Sequence, residues 1–472
     1  MTTDFARETG SGLNQRIARG AFWMIGLRFV DRCVGLLSMI VLARLLVPAD
    51  FGLVALAMTM VAVIDDLADF GFEMALIQNQ SADRSHYDTA WTCGILRGLV
   101  ASIVLALLAP TLAHFFEEPR LENVLFVLTM APFLAGFNNV GTVAFRKELT
   151  LNKEFVFRIV PRLLGVVITI LFAFIWRNHW ALVCGTLGGI SSRLLMSYLM
   201  HPFRPRLSLA AWREIMGFSK WMLATSITDL VGQRAGTLII AKLLDAASLG
   251  IFSISSQIAN MVAAELIAPI KQALFPGYSK LAHKPELLKK AFIDVYGILV
   301  LIALPAAIGI GLTAQYFVPI VLGPKWLDAI PIIEILSISG GLRSLSSHVR
   351  PVYLAMNRPY LGAVASFSRG IIYIPCLLVA LWNYGILGAA VAHALGHVGV
   401  LLGSLYLMHR LLGLTASDVM AACWRPLIGC RARGRRSTVT STRTPRSPAG
   451  TTSSTTGTTP VRSSGLIPWR SS

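Results

Sequence analysis

Long apolar segments follow one another from about residue 20 to residue 410, separated by short polar breaks. A helix of about 20 mostly apolar residues spans a bilayer. Backbone groups in lipid must be hydrogen-bonded within the structure, and these segments lack the alternating pattern of barrel strands. The pattern therefore predicts an all-α polytopic membrane protein with about twelve transmembrane helices. We place these spans at 20–43, 51–70, 89–112, 121–142, 155–176, 180–200, 219–241, 249–270, 291–313, 329–349, 360–382 and 385–408.

The basic residues of the polar breaks predict the orientation of the spans, because cytoplasmic loops carry an excess of Lys and Arg. If the chain starts inside, the inner segments hold 19 basic residues and the outer loops hold five. The five outer residues are Arg44, Arg120, Arg177, Lys242 and Lys325. We therefore expect a multi-pass protein of a bacterial inner membrane, with both termini in the cytoplasm.

The chain also matches itself at an offset of 198 residues, where 19–52 aligns without gaps to 217–250. The informative identities are Trp23 with Trp221, Asp31 with Asp229 and Gly52 with Gly250, and Arg44 faces Lys242. Six spans separate the two copies, and an even number returns the chain to the same side of the membrane. The repeat therefore predicts two pseudo-symmetric six-helix lobes related by an axis along the membrane normal, with substrate bound between them.

These boundaries divide the chain into five parts. They are a cytoplasmic segment at 1–19, an N-lobe at 20–200, a lobe linker at 201–218, a C-lobe at 219–410 and a cytoplasmic basic tail at 411–472. The linker is basic and amphipathic, as expected of a lobe connector, but a plain surface loop would have the same composition.

Composition agrees with a membrane protein: 55% of residues are hydrophobic and 14% are charged, whereas soluble domains carry roughly 25% charged residues. The net charge of +18 includes eight arginines in 431–472, a segment without Lys, Asp or Glu, so the rest of the chain carries +10. Because a basic soluble domain with interleaved aromatic residues is missing, nucleic acid is not an expected partner.

Several ionisable residues lie inside the predicted spans, where each costs roughly 2.5–3.5 kcal/mol on the insertion scale. The arginines are Arg28, Arg32, Arg97, Arg158, Arg162, Arg234 and Arg369, and the candidate acids are Asp31, Asp65, Asp69 and Asp229. Each residue alone could form a structural ion pair or reach the membrane surface. Seven embedded arginines are more than structural pairing usually explains, and guanidinium groups suit phosphate oxygens. We therefore predict that these arginines bind an anionic cargo, a phosphate or a pyrophosphate.

The embedded acids have two open interpretations. A carboxyl group desolvated in a bilayer can carry a coupling proton, and Asp31 with its repeat mate Asp229 are the leading candidates. Alternatively, Asp31 neutralises Arg28 or Arg32, which share its helical face. His393 and His397 lie one turn apart on the last span, but a third ligand is missing and the six cysteines lack metal-ligand spacing. We expect no metal and no cofactor.

The stretch LARLLVPADFGLVALAMTMVAVIDDLADFGFEMALIQ at 42–78 resembles the second-span signature of bacterial polysaccharide flippases. These proteins form the polysaccharide transporter branch of the multidrug/oligosaccharidyl-lipid/polysaccharide exporter superfamily. The resemblance covers about 15–410. It implies two six-helix lobes around a cationic cavity to which Arg28 and Arg32 contribute. It also implies alternating access and, as cargo, a polyprenyl-pyrophosphate-linked oligosaccharide for lipopolysaccharide or exopolysaccharide synthesis.

Many members of this branch continue into two further spans where this chain changes, near residue 430, into Arg/Ser/Thr/Pro/Gly-rich sequence. Such composition forms neither a packed core nor a span. It is either a natural disordered tail or the product of a frameshift that removes two helices, and we favour the frameshift.

We expect a transporter rather than an enzyme. Its expected partners are lipid-linked oligosaccharide and membrane lipid, and further expected partners are a polysaccharide polymerase and export machinery. The alternatives are a cation-coupled multidrug exporter, against which the embedded arginines count, and a membrane glycan polymerase or ligase. Such an enzyme usually needs a large extramembrane loop, and every predicted loop here is short.

Overall fold

The computed structural model describes residues 26–68, 82–148, 150–212, 234–261, 277–356 and 360–422, with isolated positions between these ranges. Every regular element within this part of the chain is a helix. The predicted tail from about residue 430, the segment 1–19 and most of the predicted seventh span lie outside the described residues.

Besides a 3₁₀ turn at Val140–Val143 and a one-turn helix at Ala144–Lys147, the described part of the N-terminal half contains seven helices. They are α1 (26–45), α2 (Pro48–Leu67), α3 (Arg84–Phe115), α4 (Arg120–Leu128), α5 (Met130–Gly136), α6 (Leu151–Trp176) and α7 (Trp180–Met200). Local sequence sets several of their starts. Pro48 occupies the first turn of α2, where its missing N–H is no loss. Asp83 caps α3 by accepting hydrogen bonds from the backbone N–H groups of Ser85 and His86.

Besides short helical stretches at 277–281 and 416–422, the described part of the C-terminal half contains six helices. They are α8 (234–243), α9 (Ala246–Ala259), α10 (Pro285–Phe317), α11 (Ala329–Ser346), α12 (Val349–Ala355) and α13 (Tyr360–Leu412). A π-helical turn at Val318–Leu322 and a 3₁₀ turn at Pro324–Trp326 connect α10 to α11. Asp245 caps α9 as Asp83 caps α3.

Six helices of the described residues are long and apolar enough to cross a membrane, and a seventh span is added if one bent pair is counted. That pair, Arg120–Gly136 and Val140–Lys147, bends by 68° where the sequence predicts one continuous span at 121–142. Helix α13 covers the last two predicted spans, and its backbone is non-helical at Gly385, where the second of these spans was predicted to begin. The structure thus agrees with a polytopic helical protein, while the predicted count of twelve extends beyond the described residues.

The outer surface of the bundle is apolar. Leu107 on α3, Leu312 on α10 and Trp382 on α13 expose 70% or more of their surface. Contiguous apolar surface of this kind is unfavourable in water and matches the hydrocarbon interior of a bilayer. The helices therefore present large side chains to lipid.

The two halves of the chain meet at one end of the bundle, which we call the closed end and define by residues 43–52, 115–122, 176–180, 240–252 and 316–329. Helices α2 and α9 pack so closely here that a Cβ atom on Gly52 would collide with the carbonyl oxygen of Ala246. A Cβ atom on Gly250 would likewise collide with the carbonyl oxygen of Pro48. Each contact joins residues that exchange places under the 198-residue offset, so the two contacts are reciprocal.

The opposite end, which we call the linker end, carries the segment 201–212. This segment is extended rather than helical and follows the first turns of α3. Asp88 and Thr92 of α3 accept hydrogen bonds from the backbone N–H groups of Arg206 (2.9 Å) and Ser208 (2.9 Å). The predicted linker, as far as it is described, is therefore bound along the N-terminal half.

Candidate functional site

Two of the predicted arginines lie on a polar strip of α6. At about 100° per residue, Arg158 and Arg162 fall on roughly the opposite side of this helix from Leu163, Val167 and Leu171. Val167 and Leu171 expose 59% and 56% of their surface, as expected for lipid-facing residues. The two arginines are also exposed, but they point away from that face. The strip therefore lies on the side of α6 that faces α1.

The strip meets α1 through an ion pair. Arg162 Nε lies 3.4 Å from Asp31 Oδ1, and the two side chains expose 52% and 56% of their surface. Arg162 crosses α1 at Gly35, where a Cβ atom would lie 3.6 Å from Arg162 Nη2. About two helical turns closer to the linker end, the ring of Phe155 contacts the ring of Trp23, with centroids 5.2 Å apart. The structure thus brings together Asp31 and Arg162, which the sequence assigns to different spans.

Three further predicted arginines lie in the same half. Arg28 and Arg32 are half-buried on α1 and share a helical face with Asp31. Arg97 is half-buried near the middle of α3. Because Asp31 is bonded to Arg162, the hypothesis that it serves only its own helical neighbours is incomplete.

A second ion pair joins the two halves. Arg234 Nη2 of α8 lies 3.7 Å from Asp66 Oδ2 of α2, with 37% and 43% of the two side chains exposed. The sequence predicts Asp65 and Asp69 as the acids of this span. The structure instead pairs their neighbour Asp66 with the arginine, while Asp65 is half-buried on the adjacent face. The position of Asp66 on its helix would have predicted this pair only if the helix that faces α2 had been known.

Three predicted site residues cannot be placed. Asp69 and Asp229 lie outside the described residues, and Arg369 lies on α13 at a position whose side chain is not described. The repeat mate of Asp31 is among them, so the symmetry of the acid pair stays a prediction.

Glu154 is a buried acid that the sequence analysis does not single out, because the predicted span begins one residue later. Its side chain is 3% exposed and its Oε1 lies 2.6 Å from Arg158 Nε and 3.6 Å from Arg146 Nε. The i, i+4 spacing to Arg158 is the signal that could have identified it. Glu154 therefore holds the side chain of Arg158, one helical turn further along α6, in position.

The predicted histidine pair packs within an aromatic cluster of the C-terminal half. The rings of His393 and His397 lie with centroids 4.9 Å apart, edge to face, and His393 also contacts Tyr373 and Phe252. These contacts describe packing, and the arginine strip remains the part of the described chain with chemistry suited to an anion.

The arrangement offers guanidinium groups, whose planar donor forks match the geometry of carboxylate and phosphate oxygens. Each paired arginine is bonded to a carboxylate that is itself half exposed, so an entering ligand can reach both groups. An oxyanion with several oxygens can replace such a carboxylate and bind the planar donor fork at two points.

Comparisons with known proteins bear on the family and the fold of the chain. The model of a family described as "Polysaccharide biosynthesis protein" matches residues 41–331. The chain is 25% identical over 419 residues to the lipopolysaccharide biosynthesis protein WzxC of Escherichia coli K12, with 88% of this chain and 85% of that protein covered.

Two solved structures share the fold. The lipid II flippase MurJ in an inward closed conformation superposes with a TM-score of 0.68 at 13% identity, covering 86% of this chain and 91% of that one. An inward-facing multidrug resistance transporter of the MATE family gives a TM-score of 0.61 at 15% identity, with 81% and 94% covered. At these identities the likeness concerns the fold alone.

Proposed function

Because this chain belongs to the polysaccharide biosynthesis protein family, in the polysaccharide transporter branch of the multidrug/oligosaccharidyl-lipid/polysaccharide exporter superfamily, we propose that it is a flippase. Its cargo would be a polyprenyl-pyrophosphate-linked oligosaccharide used for lipopolysaccharide or exopolysaccharide synthesis. The cargo crosses the inner membrane unchanged, so no bond is made or broken and no catalytic residue is assigned.

The observation that carries the proposal is the Asp31–Arg162 pair on the polar strip. It is half exposed and turned away from the lipid-facing side of α6. An exposed ion pair adds little to stability, so helix packing alone does not account for placing these charges within two predicted spans. An accessible pair beside Arg158, Arg28 and Arg32 suits a site that receives an anion.

Binding is proposed to be an exchange of partners. The pyrophosphate carries more negative charge than one carboxylate and has more acceptor oxygens, so it displaces Asp31 from Arg162. The freed Asp31 then faces the same cavity and takes up a coupling proton, because desolvation raises the free energy of an unpaired carboxylate. Asp65, Asp69 and Asp229 are further candidates for the coupling step, and Arg97 and Arg369 are further candidates for the cavity wall.

The Arg234–Asp66 ion pair couples this exchange of partners to movement of the two halves. Arg234 and Asp66 lie on α8 and α2, so a pyrophosphate that takes over Arg234 removes a contact that holds the halves together. In the proposed cycle two six-helix lobes rock about the cavity, and the polyprenyl tail stays in lipid between them. A polymerase and export machinery would then receive the cargo on the outer side.

Charge reversal at Arg162 tests the assignment. Loss of a charged hydrogen bond to a ligand costs roughly 1.5–3 kcal/mol, so we expect Arg162→Glu to lower transport by about tenfold or more. The measurement is translocation of a fluorescent polyprenyl-pyrophosphate oligosaccharide by proteoliposomes, together with polysaccharide export in a complemented flippase mutant. Arg162→Lys keeps the charge but loses the fork, so its activity should be intermediate.

Arg193→Glu is the matched control. Arg193 is an exposed arginine on the neighbouring helix α7, where it lies over the ring of Phe157. It should retain transport. Normal translocation by a well-expressed Arg162→Glu protein would remove Arg162 from the cargo site. Export of cationic dyes without movement of the lipid-linked oligosaccharide would favour the multidrug exporter instead.

A further inference from the structure

The closed end is held by two basic residues that cross between the halves in opposite directions. Arg44, at the end of α1, donates hydrogen bonds to the carbonyl oxygens of Val321 (3.3 Å) and Ile320, in the last turn after α10. Lys242, at the end of α8, donates to the carbonyl oxygen of Phe115 (2.6 Å), the last residue of α3. Each cation thus binds the carboxyl end of a helix in the other half.

The two contacts are related by the internal repeat. Arg44 and Lys242 are separated by 198 residues, the offset at which the chain matches itself. Lys242 binds the end of α3, and Arg44 binds the turn after α10. Along the chain, α3 follows Arg44 at about the same distance as α10 follows Lys242. The reciprocal contacts of Gly52 and Gly250 lie beside them. The two basic contacts and the two glycine contacts therefore lie together at the closed end.

Physical chemistry explains the choice of target. The last carbonyl groups of a helix have no intrahelical donor and carry a partial negative charge, which a cation stabilises. Lys242 adds an ion pair with Glu117 at 2.7 Å, and Glu117 holds a left-handed backbone conformation (φ 57°) at the turn after α3. Such a conformation is unfavourable for a residue with a side chain and persists where surrounding bonds hold it.

Both contacts remain accessible to water. Arg44 is exposed, and Lys242 and Glu117 expose 34% and 81% of their side chains. Water can replace exposed partners at small cost, so each contact is weak by itself. That strength suits a contact that must form and break in every transport cycle. The fully buried Trp326 makes a further contact between the halves at this end, because its indole N–H donates to the Ala43 carbonyl oxygen (2.8 Å), and this contact also separates when the end opens.

We propose that Arg44 and Lys242 are reciprocal latches of a gate at the closed end, which on the predicted topology is the outer side of the membrane. Opening the gate breaks both latches together, because each joins one half to the other. The inference rests on the proposed function in one respect only, that transport requires this end to open.

Thiol labelling tests the latches without any cargo. Leu53 and Leu249 are fully buried and line a cleft between the halves at the closed end. In a cysteine-free variant, a single reporter at Leu53→Cys or Leu249→Cys should react slowly with a maleimide in purified protein. We expect Arg44→Ala and Lys242→Ala each to raise the labelling rate about threefold, and the double variant about tenfold, as the open population grows.

Two controls separate a gate from general loosening. Arg120→Ala removes a closed-end cation that pairs with Glu118 of its own half (2.8 Å), so it should leave both reporters protected. Native Cys93, buried near the linker end, serves as the sole cysteine in parallel samples and should stay unreactive. The conservative variants Arg44→Lys and Lys242→Arg should keep most of the protection.

An unchanged labelling rate in the double variant would overturn the proposal, and so would a parallel rise at Cys93. The cargo assignment is judged separately by the translocation assay. Faster labelling in a protein that fails to move lipid-linked oligosaccharide would support the latches and reject the cargo. Unchanged labelling in a working flippase would reject the latches alone.

Discussion

At the scale of single residues, the sequence could identify the embedded charges but not their partners. Asp31, Arg158 and Arg162 stand out because ionisable groups are costly within apolar segments. Their pairing depends on how α1 and α6 face each other, which depends on packing details such as the missing side chain of Gly35. Glu154 was not predicted because its burial also depends on helix packing. From sequence alone, a carboxylate at the end of a span is indistinguishable from a surface residue.

Glu154 offers a residue-scale prediction. Its carboxylate is buried between two partly exposed arginines, so Glu154→Gln replaces two ion pairs by one neutral hydrogen-bonding group. We expect a loss of about 1 kcal/mol in stability, because solvent screening of the arginines limits the effect. The thermal midpoint of purified protein measures it. Glu334→Gln, at an exposed position beyond the first turn of α11, should leave the midpoint unchanged, and equal midpoints for both variants would contradict the structural role.

At the scale of elements, hydrophobic runs predicted the long helices well. The spans predicted at 155–176 and 180–200 correspond to α6 and α7, whose ends differ from the prediction by at most four residues. The bend of 68° between Arg120–Gly136 and Val140–Lys147 was not predicted. Asn138 and Asn139 lie at this bend, and a pair of turn-forming residues within an apolar segment is the signal that could have revealed it. The sequence did not distinguish a bound linker from a free surface loop, because its contacts depend on which groups of α3 lie beside it. They include backbone hydrogen bonds to Asp88 and Thr92 and the ring contact of Phe203 with Tyr87.

The bound linker leads to an element-scale prediction. Asp88 and Thr92 accept hydrogen bonds from two linker N–H groups, so Asp88→Ala with Thr92→Ala should release the segment 203–211. Each bond contributes about 1 kcal/mol, so we expect amide exchange there to accelerate about fivefold for one lost bond and up to about thirtyfold for both. Hydrogen exchange with mass spectrometry measures it.

The control for the linker experiment is Thr186→Ala on α7, whose hydroxyl donates only to Leu182 of its own helix among the described residues (2.8 Å). It should leave the exchange of 203–211 unchanged. If the double variant exchanges at the wild-type rate, the linker is held by its apolar contacts and the hydrogen bonds are incidental.

At the scale of the whole molecule, the repeat was the most informative sequence feature. An offset of 198 residues predicted which segments correspond, and Gly52 with Gly250 then proved to be the place where the halves touch. The sequence could not tell which end of the bundle is closed, because both conformations of a two-state transporter satisfy the same hydrophobic pattern.

The closed end should respond to pH in a defined direction. Lys242 lowers the pKa of Glu117 from its ordinary value of 4.5, first through their hydrogen bond and then through charge. An acid with a lowered pKa contributes its stabilisation above the ordinary value and loses it as the pH falls through the lowered value. We therefore expect the population of the closed conformation to stay constant between pH 5 and pH 8 and to fall only below about pH 4.5.

Distances between the halves measure this population directly. Trp176 and Tyr316 are exposed at the closed end, one in each half, and can carry spin labels for pulsed electron resonance. Glu117→Gln lacks the titrating group, so its distance distribution should change less at low pH than that of the parent protein. A transition centred between pH 6 and pH 7 would assign the switch to another group and exclude Glu117. The absence of a difference between parent and Glu117→Gln below pH 4.5 would show that the Phe115 carbonyl oxygen alone holds Lys242, which would reduce the latch to helix capping.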